Sequence, residues 1–131
     1  MISIMVVAHV PLASALVDCA RHVLGHDPYV TAVDILPNES AIDCSKTLAE
    51  QIISIDRGEG VLLLTDLPGA TPSNIATQAC HIVHEAGVAC CVLAGVNASM
   101  LLRAINYRQG NLEDVATIAL AGATQALLRV D

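Results

Sequence analysis

Three stretches of the chain are apolar without polar alternation, and each stops abruptly at a polar or turn residue. Ile2 to Ala8 ends at His9, Val61 to Leu64 runs into Thr65-Asp66, and Val88 to Ala94 ends at Gly95. Unbroken β-branched and aliphatic runs suit strands buried on both faces, as in a parallel sheet. A fourth run, Tyr29 to Leu36, carries Thr31 and Asp34, which suggests a sheet position nearer solvent.

Between these runs the spacing turns helical. Pro11 begins a pattern through Leu12, Leu16, Cys19 and Val23 that Gly25 closes, and Ile42, Leu48, Ile52, Ile53 and Ile55 mark a second helix ending before Gly58. A third helix is predicted from Thr71 to about Ala86, with Gly87 as its stop. Asn97 and Ala98-Ser99 open a fourth through Ile105. After the turn at Gln109-Gly110-Asn111, a last helix spans Leu112 to Ala121. Gly122 is expected to break it, leaving Ala126 to Val130 as a short terminal strand.

Strands alternating with helices predict an α/β fold: a doubly wound, mainly parallel four-stranded sheet, order 2-1-3-4, with helices on both faces. There is no repeat, low-complexity segment or linker, so residues 1–131 are expected to form a single domain. In that order strands 1 and 3 lie side by side at the topological switch point, where open α/β sheets hold their ligands. His9 ends strand 1 and Asp66 follows strand 3, so the two are expected to meet.

Composition narrows the choice of chemistry. A net charge of −7 argues against nucleic acid as a partner, because that affinity rests on cationic neutralisation of phosphates. Only Tyr29 and Tyr107 are aromatic, which leaves almost nothing on which to stack a base or a flavin. The five cysteines (Cys19, Cys44, Cys80, Cys90, Cys91) are odd in number and lack a C-x-x-C pair, as expected of reduced thiols in a cytoplasmic protein. Met1 to Val17 has no basic start, and glycine and asparagine interrupt Ala86 to Leu102. Neither reads as a signal peptide or a membrane span, so no membrane insertion is expected.

The turn after strand 3, Asp66-Leu67-Pro68-Gly69-Ala70-Thr71-Pro72-Ser73-Asn74, holds the candidate chemistry. Thr71 is a good N-cap with Pro72 at the first helical position, and the free amides that follow suit an anion. Asp66 accepting a hydrogen bond from Nδ1–H of His9 would fix the tautomer and leave Nε2 as a nucleophile. The Thr71 hydroxyl and the helix-start amides would receive phosphoryl oxygens, and the helix near Pro11 would add its positive end. No metal or cofactor is required. The pairs His22/His26 and His81/His84 lack the carboxylate of an H-E-x-x-H zinc site. No P-loop lysine, dinucleotide fingerprint or G-x-S-x-G elbow is present.

These residues resemble the mannose-family enzyme IIA component of the bacterial sugar phosphotransferase system. The strand ending in His9 and the segment Val61 to Asn74 carry the likeness, and Ala94-Gly95-Val96-Asn97-Ala98-Ser99-Met100-Leu101-Leu102 is similar to that family's Gly-x-Asn-x-x-Met-Leu segment. The resemblance implies a phosphotransferase that works through phosphohistidine. His9 would take a phosphoryl group from HPr and pass it to a separate IIB protein, with Asp66 orienting the ring and Thr71 receiving the phosphoryl oxygens. It also implies a homodimer that exchanges a carboxyl-terminal strand, a role for Ala126 to Val130.

The chain departs from the family's usual pattern in three places. Val10-Pro11 follows the histidine where a glycine is usual, Pro68 replaces a bulky apolar residue, and Ala70 replaces a glycine. Ala70 fits only with negative φ. Two alternatives stand beside this reading: a phosphocarrier feeding a dihydroxyacetone kinase, and a non-catalytic small-anion-binding or regulatory module of the same fold.

Overall fold

In a computed structural model that describes residues Met1–Asp131, four strands and five helices alternate as the apolar pattern predicts. β1 (Ser3–His9), β2 (Val30–Ile35), β3 (Val61–Thr65) and β4 (Cys90–Leu93) form one parallel sheet in the order β2-β1-β3-β4. Register puts Ala8 beside Asp34 and His9 beside Ile35 on one flank of β1, and Val7 beside Thr65 on the other.

Alternation along the two central strands divides their side chains between two cores. Ile4, Val6, Ala8, Leu62 and Leu64 pack against α1 (Leu12–Leu24), α4 (Ala98–Asn106) and α5 (Leu112–Gln125). Met5, Val7, Val61 and Leu63 pack against α2 (Ala41–Ile55) and α3 (Thr71–Glu85). Both central strands are therefore apolar on both faces, whereas β2, at the sheet edge, is only half-buried. Cys90 and Cys91 fall on opposite faces, as neighbours in a strand must.

Three helices are capped by a polar side chain ahead of their apolar run. Ser40, Asn97 and Asn111 accept from the amides of Asp43, Met100 and Asp114. Gly25 closes α1 in the left-handed conformation.

The start of α3 differs from expectation. The first helical bond runs from the Asn74 amide to the Ala70 carbonyl, so Ala70 is the N-cap and Thr71 the first helical residue. No side chain caps this end. Ala70 has φ −81°, the negative value that an alanine there requires.

The end of α5 is a second correction. The helix passes through Gly122 to Gln125 instead of breaking. A side chain at Gly122 would collide with Arg103 of α4, so the glycine answers to packing between helices. Ala126 to Val130 forms no strand within the single chain, and Leu127, Leu128 and Val130 stand in solvent. No helix is long and apolar enough to cross a membrane.

Candidate functional site

The carboxyl ends of β1 and β3 bring His9 and Asp66 together. Oδ2 of Asp66 lies 2.7 Å from Nδ1 of the His9 ring and accepts the His9 backbone N–H at 3.0 Å. One oxygen thus holds the ring and the backbone of the same residue. Asp66 is nearly buried, with its side chain 9% exposed, while the His9 side chain is 47% exposed. Burial alone would raise the Asp66 pKa, but the backbone and ring donors of His9 outweigh it, and the carboxyl ends below its ordinary value. A carboxylate facing Nδ1 makes that nitrogen the donor, so a neutral ring keeps its lone pair at Nε2. Nε2 has no hydrogen-bond partner in the chain.

The backbone around this pair is fixed from three sides. Val10 donates to the Ile35 carbonyl, Gly95 to the Asp66 carbonyl at 2.7 Å, and Val96 to the Thr65 carbonyl at 2.9 Å. The turn after β4 therefore braces the residue that braces His9. Two buried polar atoms stay unpartnered here, Oδ1 of Asp66 and Oγ1 of Thr65.

His9 stands between two clefts. One, of about 410 Å³, runs along the β2–α2 loop to the start of α3 and is lined by His9, Val10, Leu36, Glu39, Thr71 and Pro72 among others. The second lies over Leu12, Asp66, Leu67, Gly95 and Val96. Thr71 thus shares a cavity with His9, and its hydroxyl is exposed and free of capping duty. Behind it the first turn of α3 has its amides uncapped by any side chain, a setting suited to an anion.

The start of α1 is different, which corrects an expectation. Asp34 of β2 accepts the Ser14 amide at 3.2 Å and also the Ser14 hydroxyl. A carboxylate of the chain itself already occupies the positive end of α1, leaving α3 as the open helix start beside His9. This pairing links residues 20 positions apart and leaves no local signal in the sequence.

The remaining histidines do not converge. His26 contacts the Asp27 carbonyl, and His84 lies 2.9 Å from the Cys90 carbonyl. No group of three or more His, Cys, Asp or Glu side chains is arranged to hold a metal ion.

A doubly wound parallel sheet with a histidine–carboxylate pair at its switch point defines a class of small α/β domains, and similarity to known proteins narrows it. Residues 3–119 match the family model described as PTS system fructose IIA component, and the chain belongs to that family. It is 30% identical over 123 residues to the PTS system mannose-specific EIIAB component of Escherichia coli K12, covering 94% of this chain and 37% of that one. It is 31% identical over 118 residues to the transcriptional regulatory protein LevR of Bacillus subtilis, covering 87% of this chain and 12% of LevR. The chain therefore spans only a minor part of either relative. Among solved structures, phosphotransferase system component EIIA from Streptococcus agalactiae superposes with a TM-score of 0.86 at 26% identity, covering 98% and 97% of the two chains. The mannose/sorbose specific IIA subunit from Enterococcus faecalis also gives 0.86, over 99% and 95%, and at 20% identity it speaks for the fold alone.

Proposed function

We propose that the chain is a phosphocarrier of the sugar phosphotransferase system, with His9 as the residue that carries the phosphoryl group. The observation that carries this reading is the bond from Nδ1 of His9 to Oδ2 of Asp66, which leaves Nε2 free at a cleft shared with the start of α3. Nε2 attacks the phosphorus of a phosphohistidine on HPr. The donor's N–P bond breaks and the donor imidazole keeps the electron pair. Asp66 stabilises the positive charge that develops on the His9 ring, and Thr71 with the first amides of α3 receives the phosphoryl oxygens. A separate IIB protein then takes the group from Nε2 by the same displacement in reverse.

Two further parts belong to this proposal. The free outer edge of β4 and the apolar tail through Val130 suit an exchange of the tail between two copies, giving a homodimer. A cytoplasmic location fits a carrier that meets HPr.

The similarity to LevR favours a second reading, in which the same phosphorylation on His9 is read out as regulation instead of feeding transport.

The test is intact-protein mass after incubation with phosphoenolpyruvate, enzyme I and HPr, kept at neutral or alkaline pH because phosphohistidine is lost in acid. Wild type gains one phosphoryl group and His9→Ala gains none. A folded wild type that stays unmodified, while the same HPr phosphorylates another IIA protein, rejects the carrier role. Transfer onward to IIB then separates transport from regulation.

A further inference from the structure

The surroundings of His9 contain no cation. No Lys or Arg lines either of its clefts. Three of the six basic side chains, Arg21, Arg57 and Arg108, instead line a cavity at the other end of β1 and β2. β1 has seven residues, which separates the two ends by about 20 Å. A site meant to hold phosphate tightly gathers arginine or lysine around it. This one offers a helix start, a hydroxyl and, lining the same cleft, an acid.

That acid is Glu39. It lines the cleft that holds His9 and Thr71, and its Oε2 accepts the Leu36 amide at 3.0 Å. The bond closes the Leu36-Pro37-Asn38-Glu39 turn, in which Asn38 takes a left-handed φ of 65° that asparagine tolerates. The carboxylate is therefore held at the cleft wall by the loop itself. Its charge is felt nearby: burial pushes the Cys44 thiol pKa up, and the Glu39 charge adds to the rise. Fastening the loop alone would need an acceptor oxygen and no charge.

We propose that Glu39 is a positioning residue that acts through charge: its carboxylate repels the phosphoryl group on His9 and so favours onward transfer. The inference rests on the phosphocarrier reading and deepens it. Two like-charged groups across a solvated cleft repel by an amount that salt screens. A phosphoryl group that the carrier holds loosely is one that it passes on readily.

Glu39→Gln separates charge from loop closure, because glutamine still presents a carbonyl oxygen to the Leu36 amide. The measurement is the equilibrium of labelled phosphoryl between phospho-HPr and the chain, at low salt and at about 0.5 M salt. Glu39→Gln is expected to shift it toward the phosphorylated chain by about three- to tenfold at low salt, and by less at high salt. Asp43→Asn, an acid that does not line the His9 cleft, is expected to shift it less. An unchanged equilibrium in Glu39→Gln overturns the proposal, as does a shift that ignores salt or that Asp43→Asn matches. Wild type that takes no phosphoryl group at all rejects the carrier reading itself, an outcome visible before any variant is compared.

Discussion

A β-carbon on Gly122 would collide with Cγ of Arg103 and lie 3.2 Å from its Cβ, so α4 and α5 can approach only because Gly122 has no side chain. Alanine normally gains about 1 kcal/mol over glycine inside a helix. Here the clash outweighs that gain, because the colliding atoms belong to the stiff base of the Arg103 side chain. Gly122→Ala is expected to lower stability by about 1–2 kcal/mol in urea unfolding. Adding Arg103→Ala removes Cγ and should recover most of the loss, a non-additive pair in a double-mutant cycle.

Arg108 ties three segments together from the inside. At 8% exposure, its guanidinium donates to the carbonyls of Ile2, Pro28 and Tyr29. Burial lowers its pKa, and the charge of Arg57 lowers it further, yet no carboxylate pairs with it. Arg108→Ala leaves buried carbonyls without donors and is expected to cost about 2–4 kcal/mol by chemical denaturation. Arg108→Lys, which lacks the forked donor set, should recover only part of this.

Asp66 links the site to stability through pH. Its folded pKa lies below the ordinary 3.8, so its contribution is complete above the unfolded value and is lost as pH falls through the folded one. The stability gap between wild type and Asp66→Asn should be constant at neutral pH and close progressively as pH falls below about 4. In the proposed transfer, the same variant loses the charge that orients and stabilises the His9 ring. Its initial rate of labelling by phospho-HPr should fall by about 100-fold or more, with the acceptor histidine still present.

The thiols should react in order of access. Cys19 is exposed, whereas Cys80 and Cys90 are buried. Burial pushes the Cys91 thiol up to about 11, with Glu113 adding to the rise, and pushes Cys90 higher still. Maleimide at pH 8 should label Cys19 first, and Cys80, Cys90 and Cys91 only after denaturant is added. Peptide mapping by mass reads this directly.

How much of this was legible in the sequence depended on whether the cause was local. His9 and Asp66 were visible because polar residues terminate two buried, largely apolar strands, and the switch-point rule then brings those strand ends together. Asn97 was visible because a cap precedes the run that it caps. Gly122 was expected to break α5 because glycine disfavours helix interiors, while its actual constraint is Arg103, nineteen positions back and on another helix. The N-cap of α3 shifted by one because a threonine before proline fits the cap statistics, although the Asn74 amide bonds to Ala70 instead. The Ser14–Asp34 pair and the three carbonyls around Arg108 depend wholly on which strands lie side by side, which no stretch of sequence displays.

The two bonds to Oδ2 of Asp66 make site and scaffold share one atom. The bond from the His9 amide lies where a neighbouring strand's carbonyl would otherwise accept it, so the carboxylate serves as the last rung of the β1–β3 ladder. If the proposed phosphoryl transfer were lost, this acid would still be needed for folding. The free Nε2 edge and the Thr71 hydroxyl have no such second duty in the scaffold. The aspartate thus speaks first for architecture, and the residues facing the cleft speak for the proposed transfer.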